Sequence, residues 1–147
     1  MATIQLTPYN APSDVLTTGL DALGASTGKA ITAALDNSGL LNLWADLELS
    51  VTFALAPTVN TVVEVYLLPS LDGGTTYPDG SATVLPQAAL YVGGFVVRAV
   101  TTAQVMILRG VVLPPGFYKY LVQNTTNRAF PASGSTLTQA TYQMQSV

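Results

Sequence analysis

Apolar and polar residues alternate with a period of two along the middle of the chain. From Leu41 to Leu55 every odd position is apolar. The even positions up to 52 are polar except at Trp44, and they carry Asn42, Asp46, Glu48, Ser50 and Thr52. Successive side chains of a strand point to opposite faces, so this pattern collects the apolar residues on one face. It predicts a long strand that bends midway, or two strands that meet at a bulge.

Further strands are predicted at short intervals on either side of this segment. In residues 62–68 we expect Val63, Val65 and Leu67 to point inward, and Glu64 and Tyr66 to point outward. The other predicted strands are residues 15–18, 30–35, 92–100, 105–113, 117–124 and 135–144. Turn-forming residues separate them at Asp72-Gly73-Gly74, Asp79-Gly80 and Pro114-Pro115-Gly116. The sequence therefore predicts an all-β fold, an antiparallel, jelly-roll-like β-sandwich of about seven or eight strands.

The first 28 residues are patterned differently from the rest. They are rich in Thr, Ser, Gly, Asn and Pro, and apolar residues do not alternate clearly. We predict an N-terminal arm over residues 1–28 and a single sandwich domain over residues 29–147. The arm is either loosely ordered or ordered only against a neighbouring subunit.

Charged residues are scarce, which bears on the class of partner. They make up 9% of the chain and hydrophobic residues 49%, against roughly 25% charged in an ordinary soluble domain. This balance favours a surface that is partly covered by another protein. The alternative is an exposed neutral surface made of Thr, Ser, Asn and Gln. The net charge of -3 and five scattered basic residues argue against nucleic acid as a partner. No apolar run approaches the roughly 20 residues of a membrane helix, and the first residues do not resemble a secretory signal.

The chain has neither histidine nor cysteine, so it lacks the commonest general base and the usual activated nucleophiles. Carboxylates remain. Asp46 and Glu48 are expected on one face of a strand, with Glu64 on an adjacent strand, and a glycosidase-like pair needs two carboxylates beside a cleft. These residues occupy the outward positions of strands, with no sign of a cleft. We predict no catalytic residues and no enzymatic activity.

Residues 70–80 form the best candidate for a calcium site. They supply two carboxylates, Asp72 and Asp79, together with hydroxyl and carbonyl oxygens. Calcium requires six to eight oxygen ligands, and this spacing does not match an EF-hand. Two tight turns capped by the aspartate side chains are the favoured interpretation, and we predict no metal or cofactor site.

Aromatic residues raise the alternative of a carbohydrate-stacking surface. The tyrosines concerned are Tyr66, Tyr77, Tyr91, Tyr118 and Tyr120. Trp44 interrupts an otherwise polar face, and we favour a protein contact or a covering loop there over a sugar platform. The aromatic residues after Pro114 are predicted to hold the end of the sandwich.

Two further motifs are given structural interpretations. Gly93-Gly94 is predicted to mark a bulge, because no helix follows that could bind a phosphate. Asn124-Thr125-Thr126 matches the glycosylation pattern, but without a secretory signal the match has no weight.

Two stretches resemble small virion proteins of tailed bacteriophages. Residues 63–80 are similar to a strand with a Tyr-Leu core that runs into two Asp-Gly turns. Residues 108–124 and 132–137 are similar to the C-terminal half of the same proteins, where Leu-Pro-Pro-Gly opens a strand and Ala-Ser-Gly-x-Thr-Leu begins the closing one. Residues 1–40 carry no recognisable similarity.

The resemblance implies a virion component assembled in the host bacterial cytoplasm, with no catalytic residues. A capsid decoration or cement protein that binds and stabilises the outer face of a phage head is the first expectation, with the major capsid protein as its partner. We also expect a homo-oligomer, preferably a trimer, and no partner among nucleic acids or membranes. The alternative is a receptor- or carbohydrate-binding module of a phage tail or fibre, since the motifs do not separate head from tail.

Overall fold

The computed structural model describes residues 3–146 and contains strands and two short 3-10 helices in that range. The 3-10 helices are Thr18–Leu20 and Ala88–Leu90. The eleven strands are β1 (Ile4–Leu6), β2 (Ser13–Leu16), β3 (Gly28–Ile31), β4 (Leu35–Asp36), β5 (Trp44–Val51), β6 (Val62–Pro69), β7 (Tyr91–Val96), β8 (Gln104–Val112), β9 (Phe117–Asn124), β10 (Thr136–Tyr142) and β11 (Met144–Ser146). The prediction of an all-β fold is confirmed.

Eight of these strands form a jelly roll. One sheet has the order β2-β10-β5-β8 and the other β3-β9-β6-β7, with the short β4 added to β9. All pairs are antiparallel, and they are nested: β2 pairs with β10, β3 with β9, β5 with β8 and β6 with β7. Two four-stranded antiparallel sheets connected in this way are the jelly-roll arrangement. The predicted sandwich is therefore confirmed, and the three additional short strands raise the number beyond eight.

The core lies between the two sheets and follows the predicted alternation. In β5 the apolar residues Ala45, Leu47, Leu49 and Val51 are buried, and Phe53 just after the strand is buried as well. The prediction is wrong at the two ends of the segment, where Leu41, Leu43 and Leu55 are exposed. The strand begins at Trp44 and ends at Val51, and outside those limits the chain leaves the sheet, so the periodicity no longer determines which side chains face the core.

The segment contains the single strand β5 and not two strands that meet at a bulge, and the irregularity lies in its partner strand β8. Ala45 is opposite Val111 and Leu47 is opposite Leu108, so Asp46 faces two residues of β8, Arg109 and Gly110. This is a β-bulge. Gly110 has φ +68°, a conformation that glycine adopts without steric cost.

The outer face of the second sheet carries a small core of its own. Tyr66, Leu68 and Leu121 are buried there and pack with Ile31, Tyr77 and Leu90. Tyr66 points away from the main core, as predicted, but it is buried because the long connection between β6 and β7 covers this face.

The residues before position 29 differ from the predicted arm. β2 is an edge strand of the first sheet, and Leu16, Leu20 and Leu23 belong to the main core. These leucines lie around a 3-10 turn, so their spacing is not that of a strand and the alternation test does not detect them. Of residues 3–28, those before Ser13 lie outside the sandwich, and among them β1 pairs with β11 in a separate two-stranded ribbon.

Candidate functional site

A groove crosses the outer face of the first sheet, beneath the N-terminal segment. It has a volume of about 400 Å³ and is lined by Leu6, Thr7, Pro8, Tyr9, Asp46, Arg109, Gly110 and Tyr142. A second hollow shares Tyr9, Asp46 and Arg109 with it, and adds Glu48, Ile107, Thr138 and Ala140. We call the combined surface the aromatic groove.

Asp46 organises the aromatic groove. Its carboxylate accepts hydrogen bonds from the Tyr9 hydroxyl at 2.6 Å and from the Gly110 amide at 2.9 Å. The Tyr142 hydroxyl donates to it at 3.4 Å, and the Arg109 Nε lies 4.0 Å away. The bulge in β8 turns the Gly110 amide toward this carboxylate, so the irregularity and the charge stabilise each other.

Two tyrosine rings adjoin the carboxylate, and the Trp44 ring packs on one of them. The Tyr142 ring is stacked on Trp44, with centroids 5.8 Å apart and an interplanar angle of 24°. Tyr9 meets Tyr142 edge to face at 5.2 Å. The hydrogen bond to Asp46 raises the pKa of Tyr9, and burial raises the pKa of Tyr142. Both hydroxyls therefore remain protonated donors at neutral pH.

The three carboxylates that the sequence suggested for catalysis are not brought together. Asp46 and Glu48 share the outer face of β5, as predicted. Glu64 lies in β6, which belongs to the other sheet, so the prediction that it sits on an adjacent strand is wrong. β5 has β10 and β8 as neighbours, because nested pairing places consecutive strands β5 and β6 in opposite sheets. Glu64 instead accepts a hydrogen bond from the Tyr66 hydroxyl at 2.8 Å.

Asp72 caps the turn that the sequence predicts in residues 70–80. Its Oδ1 accepts hydrogen bonds from Ser70 Oγ and from the Thr76 amide, both at 2.8 Å, and its Oδ2 accepts one from Thr76 Oγ1 at 2.7 Å. Hydrogen bonds from Thr76, first from its amide and then from its hydroxyl, lower the pKa of Asp72 to about 2. Asp79 lies apart, in a shallow depression with Tyr77 and Gly80. Within residues 3–146 no group of three or more acidic, histidine or cysteine side chains is placed to hold a metal ion.

The remaining motifs are structural. Asn124 is buried, and its Nδ2 donates hydrogen bonds to the Leu23, Gly24 and Arg128 carbonyls, so the side chain is committed to the fold. The register of β6 and β7 shifts beside Gly93, which confirms a bulge there. Tyr118 and Tyr120 are core residues.

A second candidate surface lies at the end of the sandwich where β5 begins and β6 ends. Leu40, Leu41 and Leu71 are exposed there, and we call them the apolar end; the side chains of Leu40 and Leu71 are 65% and 98% exposed. Leu71 borders the Pro114–Pro115 turn in a shared depression. The sequence pattern did not predict this surface, because the alternation placed Leu41 in the core.

Two buried asparagines hold the loop of the apolar end. Asn37 Nδ2 donates hydrogen bonds to the Asn42 carbonyl at 2.8 Å and to the Pro114 carbonyl at 2.7 Å. Its Oδ1 accepts a hydrogen bond from the Asn42 amide at 2.8 Å. Between them Leu41 has φ +50°, which is uncommon for a residue other than glycine. Leu40 and Leu41 are thus presented to solvent by a fixed loop.

No family model matches the chain, and no curated protein gives a significant match. Three similar solved structures are carbohydrate-binding modules. A CBM36 module in complex with calcium and xylotriose is 12% identical, with a TM-score of 0.46, and the match covers 98% of this chain and 93% of that one. A family 6 module from Clostridium cellulolyticum in complex with xylose is 12% identical, with a TM-score of 0.42 and coverage of 92% and 96%.

The third is Xyl-CBM35 in complex with a glucuronic acid-containing disaccharide. It is 17% identical, with a TM-score of 0.35 and coverage of 99% of this chain and 88% of that one. At these identities and scores the similarity assigns neither a ligand nor a role to this chain.

Within residues 3–146 no helix has the length and apolar character of a membrane span.

Proposed function

We propose that this chain is a non-enzymatic virion structural protein, a capsid decoration protein that binds and stabilises the outer face of a phage head. The observation that carries the proposal is the apolar end, where exposed leucines lie next to a loop held in place by buried hydrogen bonds. The resemblance to tailed-phage virion proteins supplies the class of partner, the major capsid protein.

A rigid apolar surface is suited to binding a protein shell. Burying a leucine side chain completely is worth about 1.5–3 kcal/mol. A loop already held by Asn37 and Asn42 loses little conformational freedom when it binds, so more of that free energy remains as affinity. The low charge of the chain, 9% of its residues, also limits the desolvation cost of covering its surface.

Self-association adds to this binding. Shells offer three-fold and quasi-three-fold positions at which three copies can bind at once, and linked copies multiply weak single contacts. We therefore propose a homotrimer on the virion, assembled in the host bacterial cytoplasm.

Replacing the exposed leucines tests the proposed capsid contact. We expect Leu40→Ser and Leu71→Ser each to weaken co-sedimentation with shells that lack the protein by about tenfold or more, because a factor of ten corresponds to about 1.4 kcal/mol. Leu55→Ser is the matched control, since Leu55 is 61% exposed outside the apolar end. Equal binding by all three variants would contradict the assignment of this surface, and failure of the unchanged protein to bind shells would contradict the function.

A second candidate function is carbohydrate or receptor binding by a module of a phage tail or fibre. The aromatic groove favours it, because exposed Tyr9 lies beside the exposed guanidinium of Arg109 and the exposed Glu48. An aromatic face together with polar side chains that can donate and accept hydrogen bonds suits a sugar ring.

Binding to a panel of immobilised neutral and uronic-acid oligosaccharides tests this second function. If it holds, Tyr9→Ala and Arg109→Ala should each reduce the affinity for a bound oligosaccharide by at least about tenfold. Tyr91→Ala is the control, because Tyr91 is an exposed tyrosine on β7, away from the groove. If the protein at millimolar concentration binds none of the immobilised oligosaccharides, the second function is contradicted for the sugars in the panel.

A further inference from the structure

The ribbon formed by β1 and β11 has one apolar and one polar face. In its register Leu6 is opposite Met144, Gln5 opposite Gln145 and Ile4 opposite Ser146. Residues directly opposite each other in an antiparallel pair project from the same face. Ile4, Leu6 and Met144 therefore share one face, and the two glutamines share the other. We call this element the terminal ribbon.

The apolar face of the terminal ribbon is open to solvent. Ile4 is 70% exposed, Leu6 59% and Met144 49%. Among residues 3–146 the two strands pair only with each other. A two-stranded ribbon is at best marginally stable in water unless its apolar face is covered, and Leu6 alone of the three lines the aromatic groove. The sandwich therefore leaves most of this face without a cover of its own.

The distribution of charge favours a second copy of this chain as the partner that covers the apolar face. The chain carries a net charge of -3, so two copies repel each other where acidic residues meet. Residues 3–7 and 143–146 contain no charged residue, and two terminal ribbons can approach without like-charge repulsion or the desolvation of a charge. Three copies of this face can meet about a three-fold axis, as the proposed homotrimer requires.

We propose that the terminal ribbon is the self-association element of this protein, and that the faces bearing Ile4, Leu6 and Met144 pack against those of a neighbouring copy. This assignment of the ribbon deepens the proposed decoration function. It rests on that function because the oligomer it accounts for is the one proposed there. The polar face with Gln5 and Gln145 remains in water.

Engineered cysteines distinguish the two faces, because the chain has no cysteine of its own. Under mild oxidation Ile4→Cys should give covalent dimers at micromolar concentration. Gln5→Cys is the matched control, one residue away on the opposite face, and should remain largely monomeric in a denaturing gel without reductant. Equal cross-linking of both variants, or of neither, would overturn the assignment of the face.

Light scattering provides the second measurement. The unchanged protein should have more than the 15.3 kDa mass of one copy, and three times that mass for the proposed homotrimer. The triple variant Ile4→Thr, Leu6→Thr, Met144→Thr should fall to a single copy with an unchanged circular dichroism spectrum. A triple variant that keeps the native mass, or a native protein that is monomeric at high micromolar concentration, overturns the inference. A native oligomer that loses its mass in the triple variant but does not bind shells supports the ribbon and contradicts the decoration function.

Discussion

Two aspartates use their oxygens to hold backbone and hydroxyl groups in place. Asp46 joins β5 to the bulge of β8 and to the N-terminal segment through Gly110 and Tyr9. Asp72 closes a single loop by accepting hydrogen bonds from Ser70 and Thr76. The sequence indicated the second role, since an aspartate before two glycines is typical of a turn. It could not indicate the first, because Tyr9, Asp46 and Arg109 meet only through strand pairing.

The hydrogen bonds of Asp72 predict a contribution to stability that depends on pH. Its pKa is about 2 in the folded protein, against 3.8 ordinarily. A lowered pKa stabilises the fold above the ordinary value, and this contribution is lost as the pH falls from about 4 through about 2. We expect Asp72→Ala to reduce the fall in the free energy of unfolding over this range, measured by urea unfolding at several pH values.

The control for Asp72 is Asp79→Ala, which changes the net charge equally and leaves the Ser70 and Thr76 hydrogen bonds intact. It should retain the pH dependence that Asp72→Ala removes. Identical profiles for the two variants would show that the turn contributes through net charge and not through these hydrogen bonds.

Strands are the scale at which the sequence was most informative. β9 spans Phe117–Asn124, the range predicted, because a Pro-Pro-Gly turn opens it. The centre of β5 was also predicted, since a one-residue slip would expose its whole apolar face. The segments around Leu20 and Leu41 were not, because one packs from a 3-10 turn and the other leaves the sheet. Periodicity carries no information outside regular strands.

The alternation in β5 predicts unequal effects of substitution on its two faces. Leu47→Ala or Leu49→Ala should lower the free energy of unfolding by about 2–5 kcal/mol, because each leaves a cavity in the core. Ser50→Ala lies between the same neighbouring strands on the outer face and should change it by less than about 0.5 kcal/mol. Chemical denaturation measures both, and similar losses from the two faces would contradict the assignment of the register.

At the scale of the whole molecule, the jelly roll brings distant segments to one end. The apolar end and the terminal ribbon both lie beyond the edge where Trp44 pairs with Tyr142 and Val112. Neither surface was predicted as a site, because the sequence shows which residues are apolar but not which of them a tertiary fold leaves uncovered. From the shortage of charge we predicted a surface partly covered by another protein, and these two exposed apolar surfaces are consistent with that prediction.

The nested pairing of the strands also governs how the chain can reach its fold. Within the sandwich the outermost pair joins Ser13 to Gln139, and the next joins Gly28 to Asn124. Even the innermost pair, β6 and β7, must first close the long connection between Pro69 and Tyr91. Loop closure costs entropy before any contact is gained, so proteins dominated by distant contacts fold in milliseconds to seconds. The edge of β5 that pairs with β10 stays open until residues 136–142 reach it, and during that interval the partly folded chain is most prone to aggregate.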